Sequence, residues 1–91
     1  MTEHTPEDVA RYMLRRLEET RYLHQEQVVY EIQSKFGERF TYTNENGNLA
    51  IDRRVMKEFR ELSGEDVVWE WSERLWRRRA SYDPRDKRQV D

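Results

Sequence analysis

The 91-residue sequence has no cysteine, which removes disulfides, thiolate nucleophiles and cysteine-based zinc sites together and fits a reducing compartment, the cytoplasm. Its apolar runs fall well short of the roughly 18 residues a membrane span needs. Its start, MTEHTPEDV, is acidic where a signal peptide would be basic and then apolar. There is no Gly-rich phosphate loop, nucleophile elbow or His-x-x-x-His pair. The two histidines, His4 and His24, stand far apart; the first lies near the terminus and the second reads as a cap or surface residue rather than a base. No catalytic residue, metal site or cofactor is expected, and the chain reads as a non-enzymatic protein with no membrane partner.

Charged residues are abundant, at 40% of the chain, against 35% hydrophobic and 12% aromatic. A chain of this length forms one domain, burying roughly 60–65% of the surface its unfolded form exposes, and its core has to be rich in aromatic rings. The net charge of −2 argues against indiscriminate nucleic-acid binding, but it is unevenly spread. Residues 71–88 carry Arg74, Arg77, Arg78, Arg79, Arg85, Lys87 and Arg88 against Glu73, Asp83 and Asp86, a local excess of +4.

Thr5-Pro6-Glu7-Asp8 reads as a helix start, with Thr5 as cap, Pro6 where its missing N–H costs nothing, and carboxylates at the positive end of the dipole. Val9, Ala10, Met13 and Leu17 then share one stripe at helical spacing, ending near Glu19 or Thr20. After an extended piece at 21–24, Val28, Val29, Ile32 and Phe36 mark a second helix over 25–36, closed by Gly37. Ile51, Val55, Phe59 and Leu62 mark a third, closed at Ser63-Gly64. From Val67 the period changes to two: VVWEW, a polar break SER, then LWRRR. That is a hairpin, and the absence of Gly or Asn at its turn predicts a loop of about three to five residues. The remainder, 81–91, is polar and aperiodic and reads as an extended or disordered tail beyond a domain spanning 1–80.

The stretch YTNENGNLAID, 42–52, admits three readings. A calcium loop would need oxygen ligands at its first and twelfth positions, where Tyr42 and Arg53 stand. Asn46-Gly47 is a strong hairpin signal, with FTYTN and NLAI as strands. The third reading makes Asn48 the N-cap of a helix over about 48–62, with Asp52 in its first turn; it accounts for the later periodicity and is preferred.

The fold expected is mainly α with a small β-hairpin. Its order of helix, strand, helix, helix and two-stranded wing over roughly residues 5–80 resembles the winged-helix family. The chain is also similar to small uncharacterised bacterial proteins with an FG-x-x-F, N-x-N-G-N, V-V-W and L-W-R-x-R series, here Phe36-Gly37-Glu38-Arg39-Phe40, Asn44 to Asn48, Val67-Val68-Trp69 and Leu75 to Arg79. Where winged-helix DNA binders have a short turn between the second and third helices, this chain has ten residues, 38–47.

Two functions follow from the exposed chemistry. Arg53, Lys57 and Arg60 lie at i, i+4 and i+7 on the outer face of helix three; in the winged-helix resemblance that face enters the major groove of duplex DNA, with Arg74, Arg77, Arg78 and Arg79 holding phosphates. The same face also reads as a solvated one, balanced by Asp52, Glu58 and Glu61. The hairpin concentrates Trp69, Trp71 and Trp76, as core and stacking or as a surface for a protein partner or a second copy of the chain in a homodimer.

Overall fold

The computed structural model describes residues 3–81, 83 and 89–90. Its first helix, α1, runs Pro6–Thr20 behind the expected cap. Thr5 Oγ1 accepts from Asp8 N at 3.2 Å and Thr5 N donates to Asp8 Oδ2 at 2.9 Å, a reciprocal box that satisfies two otherwise orphaned donors. Arg21, at φ 71°, turns the chain out of α1 and into strand β1, Tyr22–His24. Helix α2, Gln25–Phe36, starts behind an exposed His24 that makes no side-chain cap, and Gly37 at φ 108° ends it.

The next segment corrects the preferred reading of the amide-rich stretch. Asn48 caps no helix. A short 3₁₀ turn, Glu38–Phe40, leads into β2, Thr41–Thr43, which pairs antiparallel with β3, Leu49–Ile51. Asn44 Oδ1 braces the loop between them, accepting from Asn46 N and Asn48 N at 3.0 Å each. Gly47 N donates to the Asn44 carbonyl at 2.9 Å, and Gly47 at φ 81° takes the left-handed position that such a turn reserves for glycine. Helix α3 is accordingly shorter, Arg53–Ser63, and its N-cap is Asp52, whose carboxylate accepts from Arg54 N at 2.7 Å. Ile51 fitted the helical stripe and is buried, but as the last residue of a strand.

Strands β4, Val67–Glu70, and β5, Leu75–Arg78, form the C-terminal hairpin around a four-residue loop, within the length expected. Arg74 takes a positive φ of 53° there. The sheet order is β1-β5-β4-β6, antiparallel except that the two-residue β6, Gln89–Val90, runs parallel to β4. Of the segment 81–91 read as a tail, Asp83 is buried and Gln89–Val90 pair with the sheet; residues 82, 84–88 and 91 lie outside the described residues.

The result is an α+β domain of three helices and small, mostly antiparallel sheets. One core joins Val9, Met13 and Leu17 of α1 to Val28 and Ile32 of α2, Val55 and Phe59 of α3, and Leu23 and Trp76 of the sheet. α1 packs chiefly along α3. Its other flank is tied to α2 by polar groups: Arg16 donates to both oxygens of Glu31, and the Tyr12 hydroxyl donates to the same carboxylate at 2.7 Å. Burial raises the Glu31 pKa, but the hydrogen bonds from Arg16 and Tyr12 outweigh it and hold the group below its ordinary value. Among the described residues, no helix is long and apolar enough to cross a membrane.

Candidate binding groove

The β2–β3 hairpin, α3 and the β4–β5 hairpin leave a groove of about 620 Å³ between them. Its position follows from the Asn-Gly turn, because β2 is brought back beside β3 at the entrance to α3 and so becomes a wall. Val67, Trp69 and Trp76 from the sheet, Ile51 from β3 and Phe59 from α3 form an apolar lining. The rings are mutually packed: Trp76 lies 4.7 Å from Trp69 and 5.6 Å from Phe59, and Trp69 meets Trp71 edge to face at 5.8 Å. Such pairs add about 0.5–1.5 kcal/mol each beyond area burial.

Around it stand residues with solvent access. Tyr42, from β2, is 44% exposed and Trp71, in the hairpin loop, is 56% exposed. They are two of the four large hydrophobic side chains exposed among the described residues, the others being Tyr22 and Tyr30. Met56, from α3, is partly buried. Two cations complete the lining, Arg60 from the last turn of α3 and Arg74 from the hairpin loop. Arg74 Nη2 also donates to Gln25 Oε1 at 3.3 Å, and its carbonyl accepts from Gln25 N at 3.1 Å. Among the described residues, the lining contains neither a carboxylate nor a histidine.

The groove thus gathers Trp69, Trp71, Trp76, Arg60 and Arg74 out of the residues singled out by sequence. Arg53 and Lys57 are exposed on α3 but lie outside the lining, on the row continuing from Arg60 toward the N-terminal end of the helix. The remaining hairpin arginines sit at its other end. Arg77 turns inward: its side chain is 11% exposed, with Nε donating to Glu70 at 2.8 Å and Nη1 and Nη2 to the two Asp83 oxygens at 2.8 and 3.1 Å. These hydrogen bonds, with one from Ala80 N, lower the Asp83 pKa to about 2. Arg78 pairs with Glu18 of α1 at 2.9 Å, and Arg79 donates to the Glu65 carbonyl. Arg77 therefore clamps the chain after β5, and Arg79 joins the base of the hairpin to the turn after α3.

Sequence reasoning missed Tyr42 and Met56 as part of this site. Their signal was the Asn-Gly turn: read as a hairpin, it places Tyr42 opposite Ala50 and beside the start of α3.

The model of a family of unknown function (DUF6953) matches residues 5–78. The chain belongs to that family. The match runs from the cap of α1 to the last residue of β5, so the family's shared region contains every described residue of the groove lining. It stops short of Asp83 and β6. No curated protein and no solved structure matches the chain.

Proposed function

We propose that this domain is a non-enzymatic interaction module whose aromatic groove receives part of a partner protein. The observation that carries the reading is the pair of exposed rings, Trp71 and Tyr42, at a groove lined by packed aromatic side chains. Trp, Tyr, Met and Arg are the residue types enriched where protein interfaces concentrate their binding energy, and Met56 gives the wall a side chain that can repack. A lining that holds no carboxylate or histidine among the described residues favours binding over proton transfer.

The architecture of this module is read as winged-helix-like. Support comes from the order α1, β1, α2, α3, β4, β5 and from the pairing of β1 with β5; the β2–β3 hairpin before α3 is the departure. The cysteine-free composition suits the cytoplasm as its compartment.

Selection from a random peptide library displayed on phage tests the interaction reading. Wild-type protein should enrich a family of sequences whose binding disappears with Trp71→Ser while the variant keeps its fold by circular dichroism. Absence of enrichment, or equal binding to the variant, would refute the reading.

Duplex DNA is the second reading, favoured by the exposed row Arg53, Lys57 and Arg60 on α3, with Arg74, Arg78 and Arg79 as further cations on the hairpin. Three phosphate contacts would give a log–log salt slope of about −3. Duplex binding that is undetectable at low salt, or unchanged in an Arg53/Lys57/Arg60 triple alanine variant, removes this reading.

A further inference from the structure

We infer that an extended segment of a partner protein joins this domain as a strand on the outer edge of β4, and that β6 is the chain's own strand holding that edge until the partner displaces it. The inference rests on the interaction reading above and adds how the partner is held. β4 is bound on one side by β5. On its other side it takes a strand running parallel, with Gln89 opposite Trp69 and Val90 opposite Glu70. The edge therefore accepts an added strand in a set direction and register. This acceptor lies inside the region shared by the family, residues 5–78, and the strand seated on it lies outside.

Three features make β6 replaceable. Parallel pairing is slightly less stable per residue than antiparallel, and the edge of a sheet is a template for any chain that can extend along it. The position opposite Trp69 carries a glutamine, whereas strands favour β-branched and aromatic residues. The chain is also anchored upstream of β6 by separate bonds: the Asp83 carboxylate accepts from Arg77 Nη1 and Nη2 at 2.8 and 3.1 Å and from Ala80 N at 2.7 Å. β6 can leave β4 with that clamp intact.

Val67 and Trp69 of β4 also line the groove. Successive residues of an added strand face opposite sides of the sheet, so a partner residue opposite Trp69 enters on the groove side. Main-chain hydrogen bonds to β4 supply affinity, and that inward residue supplies selectivity. The partner segment is one without proline at the paired positions and with a β-branched or aromatic residue opposite Trp69. It competes with a tethered strand, which meets its edge at a roughly millimolar effective concentration.

The probes are a synthetic peptide of residues 85–91, RDKRQVD, the same peptide with Gln89→Val, and a copy of the valine peptide N-methylated at both paired residues. Each is titrated into wild-type protein and into a Gln89→Pro/Val90→Pro variant, whose β6 cannot pair, with backbone amide NMR shifts as the readout. The first two peptides should shift the Trp69 and Glu70 amides of the variant and bind wild-type protein about tenfold more weakly, as an edge free about a tenth of the time requires. The valine peptide should bind about fivefold more tightly than the glutamine one, the span of strand preferences. The methylated copy should not bind.

Equal affinity for wild type and variant overturns the inference, because β6 would then not be holding the edge. If peptides selected on phage shift Tyr42 and Trp71 while the Trp69 and Glu70 amides stay unmoved, the partner lies in the groove without joining the sheet; the inference falls and the interaction reading stands. If no peptide shifts either set, both fall. A mass that rises with concentration in wild-type protein but not in the variant gives the edge to a second copy exchanging β6 and overturns the partner. Should the variant fail to fold, wild-type protein decides: saturating valine peptide should move the Gln89 and Val90 amides as β6 is released, and unmoved amides overturn the inference.

Discussion

Replacing Trp76 and Trp71 separately with alanine distinguishes the groove lining from its exposed rim. Trp76 is 8% exposed and packs against Trp69 and Phe59. Truncating a buried aromatic to alanine costs about 3–5 kcal/mol. A chain of this length has a total stability of about 5–14 kcal/mol, so Trp76→Ala removes a large share of it. At about 4–8 °C per kcal/mol for a small domain, its melting temperature should fall by upward of about 12 °C. Trp71 is more than half exposed and meets Trp69 edge to face. Losing that ring contact costs about 1 kcal/mol, and an exposed side chain forfeits little apolar burial, so the fall in melting temperature should be well below that of Trp76→Ala. Thermal melts followed by near-ultraviolet circular dichroism report both. Equal losses for the two variants would refute the reasoning, because Trp71 would then be a core residue with no surface left to offer a partner.

Three further outcomes follow from the same structure. Asn44→Ala removes two side-chain hydrogen bonds to the loop backbone and should cost about 1–2 kcal/mol, read as a lower urea midpoint; no change would mean that Gly47 alone sets the turn. Arg77→Ala should lower the urea midpoint well beyond Arg78→Ala, whose exposed pair with Glu18 is worth at most about 1 kcal/mol; equal effects would contradict the inward placement of Arg77. Asp83 has a folded pKa of about 2, below its ordinary 3.8. Its contribution is therefore fully present above about pH 4 and is lost as pH falls toward 2. Urea midpoints of the wild type should drop more steeply across that window than those of Asp83→Asn, and parallel curves would count against the clamp.

Much of this fold is legible locally. Thr5 with Asp8, Gly37 and Gly64 mark helix boundaries by their own chemistry, and the aromatic run after Val67 announces a hairpin without reference to anything distant. The error at Asn48 has a definite cause. Ile51 stands four residues before Val55, so it satisfies a helical stripe while also fitting the inward register of a short strand. The choice between them lies in the pairing of Thr41–Thr43 with Leu49–Ile51, which periodicity does not report. Arg77 was obscured differently. In the run LWRRR it looks like one of three equivalent cations, yet strand alternation places it with Leu75, Val68 and Glu70 on the face turned from the main core, where Asp83 covers it. The groove itself depends on three separately formed elements meeting, so its tryptophans, Arg60 and Arg74 were conspicuous in advance but not as one site.

The two hydrogen bonds between Arg74 and Gln25 bear on how the groove would meet a partner of the kind proposed. They fasten the hairpin loop to the first residue of α2, so that side of the mouth is held in place by the domain before anything binds. A guest then forfeits less conformational entropy in ordering its host, and the loop has less freedom to rearrange around guests of other shapes. Selectivity would come from a mouth of set width, anchored at the first residue of α2.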